Sequence, residues 1–295
     1  MTIPIPISAA IGCFDGLHLG HRKVLEAAIN RRGCRPCAIS FEPHPLEVMC
    51  PGKLQRLTTG AHQAKLLKQQ GIDEIFALDF AGIKDMEPEE FVEQILKNRL
   101  NISFISCGYN YRFGRGARAD AGELKRLCEC IGIRAEIVPQ VCVGGEPVSS
   151  SAVRRLLKGG QIAGVNRFLG RAYSYDLPVV GGRRVGRTLG WPTINQHFER
   201  GMCLPKFGVY ATLSNVGGQK LPGVTNIGVR PTVGADRPLS ETYIFGFDGD
   251  LYGRNIEVEL IEFLRPEQSF GSLAELKSAV ERDAARALTL LSQYL

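Results

Sequence analysis

The sequence predicts a chain in two parts, a parallel α/β domain followed by a small antiparallel β-barrel with a terminal helix. Three observations carry this. Up to about residue 158, strand-like and helix-like segments alternate, the pattern of a parallel sheet covered by helices. After about residue 171, short apolar stretches are punctuated by Gly and Pro with no helical pattern between them, as in antiparallel barrels. An amphipathic stretch from 272 to about 293 comes last.

In order, residues 5–14 read as a strand, 19–30 as a helix and 36–41 as a second strand. Residues 61–70 are helical, 74–78 a strand, and 88–98 a helix that begins with Pro and acids, as helix starts do. Residues 102–107 are apolar and β-rich, 123–131 helical, and 135–138 a last short strand. Two connecting helices, 150–159 and 163–170, are split by Gly159-Gly160. The barrel stretches are 179–180, 208–213, 223–228, 242–247 and 256–263. The expected domains are therefore 1–158 and 166–295, and a parallel sheet places ligands at the carboxyl ends of its strands.

The 295 residues are 44% hydrophobic and 22% charged, ordinary for a globular protein with a sizeable core. No apolar run approaches the roughly 20 residues that span a bilayer, and the first residues lack the basic and apolar regions of a signal peptide. The expected location is the cytoplasm. A net charge of +6 favours anionic partners, but the Lys and Arg residues are scattered, without the basic-aromatic interleaving of an RNA-binding sheet. Neither nucleic acid nor membrane is an expected partner. Nine cysteines without a leader suggest reduced thiols. Cys34-Arg-Pro-Cys37 lacks the second CxxC of a zinc site, and no chemistry is assigned to the cysteines.

Gly12-Cys-Phe-Asp-Gly-Leu-His-Leu-Gly-His21 is the most informative stretch. It places a helix N-terminus, with its free N–H groups and positive dipole end, just after the first strand, where a phosphate can sit. His18 and His21, three apart, can project from one face of the first turn. Gly16 permits a tight turn, and Gly20 lets an adenine or phosphate approach. Two imidazole donors beside that dipole can stabilise charge developing on an α-phosphate. Surface histidines or metal ligands are the other readings of the pair. Gly114-Arg-Gly-Ala-Arg-Ala119 formally satisfies the dinucleotide fingerprint, but it lies four strands into the chain and reads as a loop.

In the second half, Gly186-Arg-Thr-Leu-Gly-Trp-Pro-Thr-Ile-Asn195 concentrates the signal. Thr193 and Asn195 share one face of an extended segment, and a hydroxyl with an amide carbonyl are oxygen ligands suited to a Mg²⁺ that bridges nucleotide phosphates. Gly186 and Gly190 let main chain approach a ligand, and an ordinary glycine-rich hairpin is the alternative.

The ten-residue string, with Phe14-Asp15-Gly16, resembles the FMN adenylyltransferase module of bacterial bifunctional riboflavin kinase/FAD synthetases, nucleotidyltransferases with a HxGH motif on a Rossmann-like sheet. Phe41-Glu-Pro-His-Pro45 is similar to that family's Phe-Asp-Pro-His-Pro turn, with Glu42 for Asp. Gly108-Tyr-Asn-Tyr-Arg-Phe-Gly114 resembles its flavin and nucleotide loop, and Val148-Ser-Ser-Ser-Ala-Val-Arg154 its Ser-rich helix start. The second half resembles the riboflavin kinase barrel through 186–195, 205–210, 226–232, Glu241 with 247–253, and 263–265. The family often has Gly, Ala, His and Asp where Leu177, Ile194, Tyr243 and Gly246 stand.

The resemblance implies ATP binding around Gly12, Phe14, Asp15, Gly16, Gly20, Asn110, Ser150 and Arg154, with His18 and His21 catalytic in the attack of FMN on the α-phosphorus of ATP. It further implies that Gly186, Thr193 and Asn195 hold Mg-ATP. Glu241 would be the base that accepts the ribityl hydroxyl proton as it attacks the γ-phosphate. The expected ligands are thus Mg²⁺, ATP, riboflavin, FMN and FAD, with flavin-dependent apoproteins as recipients. Two other functions stand beside this one: a riboflavin kinase whose first domain uses another nucleotidyl acceptor or has little activity, and a non-enzymatic flavin sensor or nucleic-acid-binding regulator.

Overall fold

The computed structural model describes residues 5–182, 191–229 and 237–294. These divide into two compact units, Met1–Arg56 with Gly60–Ser150, and Leu57–Thr59 with Ser151–Leu295.

The first unit is a five-stranded parallel sheet. Its strands are β1 (Ile7–Ile11), β2 (Arg35–Phe41), β3 (Glu74–Leu78), β4 (Ile102–Gly108) and, after a short hairpin of β5 (Arg112–Phe113) and β6 (Ala119–Asp120), β7 (Arg134–Val138). The order β3-β2-β1-β4-β7 reverses direction between β1 and β4, the position at which open parallel sheets bind ligands. Apolar clusters cover both faces. One gathers Ile11, Ile39, Phe91, Leu96, Ile105 and Leu124; the other gathers Phe14, Leu25, Ala38, Leu66 and Leu67. Strands buried on both faces read as nearly continuous apolar runs, and Ala9 and Ala10 in β1 are fully buried.

The polar residues of that core are satisfied against helix α1 (Leu19–Ile29). Ser8 Oγ donates to Ala28 O at 2.7 Å, and Ser106 Oγ to Val24 O at 2.8 Å. A buried hydroxyl without a partner would cost about 1–3 kcal/mol. The first strand is shorter than its sequence suggests. It ends at Ile11, and Phe14 (φ 51°) and Leu17 (φ 46°) then take left-handed backbone in the loop. The segment expected as one α-helix over 88–98 is Pro88–Glu90 continued by a π-helix, Phe91–Arg99, which buries Phe91, Val92, Ile95 and Leu96. A second short hairpin, β8 (Cys142–Val143) and β9 (Glu146–Pro147), precedes the helix Ser150–Lys158.

The second unit is a six-stranded antiparallel sheet of β10 (Tyr173–Pro178), β11 (Thr193–His197), β12 (Gly208–Val216), β13 (Gln219–Val229), β14 (Pro238–Ile244) and β15 (Asn255–Arg265). Its order is β10-β15-β12-β13-β14-β11. The sheet curls until its two ends meet. Val180, just beyond β10, bridges Asn195 in β11, and Gln196 Nε2 donates to Leu177 O and Ile256 O at 2.6 and 2.7 Å. Closure removes the exposed edges of a barrel.

The barrel interior is unusually polar. Thr212 bonds Thr225 (2.9 Å), Thr225 bonds Thr242 (2.8 Å), Ser240 contacts Thr242 (3.4 Å) and Tyr175 bonds Ser240 (2.6 Å), all of them buried. Each hydroxyl finds its partner in another, so the network avoids the desolvation penalty of orphaned groups.

On the outer face, Val209, Ala211, Leu213, Val224 and Leu264 pack with Ala287 and Leu291 of the terminal helix Leu273–Leu291. Ser272 caps that helix, and Arg265 holds it by three bonds to the Asp283 carboxylate, at 3.1, 3.0 and 2.8 Å. Leu177, a departure from the family pattern, is fully buried in the wall where its carbonyl receives Gln196.

Candidate functional sites

The first site grows from the exit of β1. Gly12 N donates to Ile39 O at 3.1 Å, extending the ladder by one residue before the chain turns. The turn runs through three positive-φ residues, Phe14, Gly16 (φ 78°) and Leu17. Left-handed backbone at non-glycine residues costs on the order of 1–3 kcal/mol and persists where the surroundings enforce it. Here the surroundings are the core itself, because Phe14 and Leu17 are 1% exposed.

His18 is the N-cap of α1, not a member of its first turn. Its Nδ1 accepts from His21 N at 3.2 Å, which satisfies one orphan donor of the helix start. With Nδ1 accepting, neutral His18 carries its proton on Nε2, as a donor. His21 then stacks on it, the ring centroids 3.6 Å apart and the planes 15° from parallel, and Phe14 meets His21 edge-on at 5.5 Å. A Cβ on Gly20 would lie 3.1 Å from His18 Cε1 and 3.2 Å from Nδ1. The space expected to admit a ligand is taken by the imidazole, so this glycine is what permits the stack.

At Gly12 a Cβ would only reach ordinary contact with the Phe14 ring, at 3.4 Å. Asp15 is buried, and its carbonyl accepts from Ser150 Oγ at 2.9 Å. The Ser150 hydroxyl is thereby committed to the β1 loop. Arg154 follows one turn later, in the portion of the helix Ser150–Lys158 that clusters with the second unit. Asn110 is exposed in the turn after β4, its Oδ1 3.3 Å from where a Gly108 Cβ would be. That turn leaves the same edge of the sheet as the His18 loop, from the neighbouring strand.

In the barrel, antiparallel register lines up the second site. Asn195 of β11 lies directly across from Glu241 of β14, and Glu241 directly across from Asn226 of β13. Directly opposed residues share a face and approach closely, so an amide, a carboxylate and an amide form a row across three strands. Thr193 stands two residues from Asn195 on the same side, opposite Tyr243. Ile194 and Gln196 alternate to the other side, as expected.

Asn195 is 6% exposed, and among the described residues its Oδ1 is buried without a hydrogen-bond partner. A buried acceptor left open in this way fits a hard cation, for which an amide oxygen and a hydroxyl are suitable donors. Gly182 makes room for it, because a Cβ there would lie 2.5 Å from Asn195 Nδ2. Gly186 lies outside the described residues. Of the family departures, Gly246 occupies a turn at φ 68°, and Tyr243 packs edge-on to Phe245 at 5.3 Å.

Both halves of the chain match known families. Residues 2–152 match the model described as FAD synthetase, and residues 169–291 the one described as riboflavin kinase. The relatives named bifunctional riboflavin kinase/FMN adenylyltransferase include that of Escherichia coli, 35% identical over 92% of this chain and 89% of its own. That of Pseudomonas fluorescens is 35% identical over 97% and 94%, and that of Bacillus subtilis 29% identical over 96% and 92%. The chain belongs to this bifunctional riboflavin kinase/FMN adenylyltransferase family. It is accordingly an enzyme of flavin cofactor synthesis with kinase and adenylyltransferase domains, leading from riboflavin to FMN to FAD.

A crystal structure titled as a macrolide-efflux protein from Streptococcus pneumoniae superposes with a TM-score of 0.84 at 25% identity, over 96% of this chain and 94% of that one. None of the described helices here is long and apolar enough to cross a membrane.

For this member of the flavokinase/adenylyltransferase family, the site set drawn from sequence omitted His44. The signal was present in Phe41-Glu-Pro-His-Pro45. The structure shows His44 buried and capping helix α2 (Pro45–Met49), with Nδ1 accepting from Leu46 N at 3.1 Å. That is the same arrangement as His18, on the adjacent strand's exit. None of the nine cysteines is in a disulfide, and burial pushes the Cys107 and Cys128 thiols up to about 12, where they stay protonated.

Proposed function

We propose that the two half-reactions are carried by the residues just described. In adenylyl transfer, Nε2 of His18 donates to the α-phosphate of ATP as charge develops there, and the His21 ring keeps His18 stacked and oriented. Gly12, Phe14, Asp15, Gly16 and Gly20 shape the loop, while Asn110, Ser150 and Arg154 complete the binding of nucleotide and flavin. Donors fixed beforehand at a developing charge are worth about 3–4 kcal/mol each.

In the kinase reaction, Glu241 accepts the proton of the ribityl terminal hydroxyl as that oxygen attacks the γ-phosphorus. Thr193 and Asn195 would hold the magnesium ion of Mg-ATP, and Gly186 would contribute to nucleotide binding. Bound there, Mg²⁺ would neutralise charge on the phosphates. Asn226 flanks Glu241 on the side away from Asn195 and keeps the carboxylate in its row.

One observation supports the whole reading: the chain presents, in separate compact units, a stacked imidazole pair on a helix start and an amide–carboxylate–amide row with an open buried oxygen. The setting is the cytoplasm. The substrates are riboflavin, FMN and ATP, flavin-dependent apoproteins receive the product, and the scattered positive charge serves no nucleic acid.

The test is product analysis. Purified protein is incubated with riboflavin, ATP and Mg²⁺, and the flavins are separated by chromatography, beside Glu241→Gln and His21→Ala. The expected result is FAD from the unmodified protein, no FMN from Glu241→Gln, and FMN without FAD from His21→Ala. FAD formation by both variants would refute the residue assignment.

A further inference from the structure

The turn after β2 is closed by a guanidinium. Helix α2 has five residues and buries none of them, and Leu46 and Met49 on it are 48% and 58% exposed. So short a helix is not stable by itself, and no apolar face anchors it. Its position has to be set by polar ties.

Those ties converge on Arg56. Nε of Arg56 donates to Glu47 Oε1 at 2.6 Å and Nη2 to Glu47 Oε2 at 2.5 Å. Nη1 and Nη2 donate to Glu42 Oε2 and Oε1 at 3.2 and 3.0 Å. Glu47 Oε2 also accepts from His44 N at 3.2 Å, completing the capping box of α2. One guanidinium therefore forks onto two carboxylates that bracket His44 in sequence. Exposed ion pairs contribute little, but the Arg56 side chain is only 18% exposed. Glu47 is more buried than Glu42, so it carries most of the tie. The Arg56 bond holds the Glu47 carboxyl below the usual carboxylate range.

We infer that Arg56 is a positioning residue for adenylyl transfer, holding through Glu47 and Glu42 the turn that carries His44 at the carboxyl edge of the sheet. The inference rests on the assignment of that edge to the adenylylation site. The contact Gly12 N to Ile39 O runs the β1 exit beside β2, two residues before Phe41, so the His18 loop and the His44 turn leave adjacent strands. In both, a backbone N–H holds Nδ1 and leaves Nε2–H as the donor. The difference lies in support. His18 is fixed by the core around Phe14 and Leu17, whereas the His44 turn depends on Arg56. Lysine cannot replace it, because a single ammonium cannot fork onto both carboxylates.

The test uses the full chain and both of its half-reactions. Arg56→Gln is expected to lower kcat for FAD formation from FMN and ATP at least tenfold, since misplacement by about 1 Å costs on the order of 10²-fold. Riboflavin phosphorylation in the same preparation is expected to stay within twofold. Arg56→Lys should recover little. Long-range ¹H–¹⁵N correlation should show the His44 ring as the Nε2–H form in the unmodified protein and as a tautomer mixture in Arg56→Gln. Glu47→Gln, which keeps an acceptor for His44 N but loses the charge, should show the same selective loss should Arg56→Gln fail to fold. FAD formation within twofold of normal would overturn the inference, as would a parallel fall of both half-reactions and of Tm. Absence of FAD formation by the unmodified protein would instead remove the site assignment, and the clamp with it.

Discussion

Replacing Gly20 by Ala separates the stability of the first site from its chemistry. Gly20 lies in the first turn of α1, where Ala is the better helix former, and the exchange alone is worth about 0.4–1 kcal/mol in favour of the fold. The added methyl, however, would stand 3.1 and 3.2 Å from Cε1 and Nδ1 of His18. Ordinary contact begins at about 3.4 Å, so the imidazole must give by a few tenths of an ångström. It cannot slide freely, because its Nδ1 holds the His21 N–H at 3.2 Å and its ring lies 3.6 Å from that of His21. Scaling from about 10²-fold per ångström of misplacement, the expected loss in FAD formation is about 3–6-fold. FMN formation and Tm should be unchanged or, for Tm, slightly raised. The assay is FAD formation from supplied FMN and ATP, with thermal unfolding beside it. Normal FAD formation by Gly20→Ala would refute the claim that this glycine serves the histidine stack, and a lowered Tm would show that the clash is borne by the backbone.

Asn195→Ala should raise the Mg²⁺ concentration needed for half-maximal riboflavin phosphorylation and leave adenylylation of supplied FMN intact; a Mg²⁺ titration of each half-reaction checks this. Asn195→Asp should retain metal binding, because it keeps the oxygen that the fold leaves open. Glu47 makes acid stability dependent on Arg56. Its carboxyl is depressed by the Arg56 bond, so its contribution is present in full above the unfolded value, about 4.3, and is lost as pH falls through the depressed folded value. The Tm difference between the unmodified protein and Arg56→Gln should therefore be constant near neutrality and shrink below about pH 4; a difference that grows on acidification would overturn the argument.

Much of the fold is legible in the sequence because its signals are local. Short apolar runs between helical patterns read as strands, and 74–78 is found as the strand Glu74–Leu78. The terminal helix announces itself by periodicity and by Ser272 three residues before Glu275. Strand β10 was harder to see. Tyr173, Tyr175 and Leu177 face inward, while Ser174 between them is buried too, so the alternation of apolar and polar positions is blurred. The interior network of Thr212, Thr225, Thr242, Ser240 and Tyr175 is invisible for a related reason. Threonine and serine suit a strand on either face, and only closure of the sheet decides that these hydroxyls meet one another.

The sites divide in the same way. The sequence by itself singles out the residues to which the chemistry is proposed: His18 with His21 at a strand-to-helix turn, and Thr193 with Asn195 two apart on a strand. Those are relations of a few residues, set by helix and strand periodicity. What His18 does with its Nδ1, that Gly20 is bare for an imidazole, and that Asn195, Glu241 and Asn226 stand in one row follow from register and packing. So does the clamp of Arg56 on Glu42 and Glu47, which spans 14 and 9 positions of the chain. Such pairings depend on where distant segments are brought side by side, and only burial of the two cores brings them there.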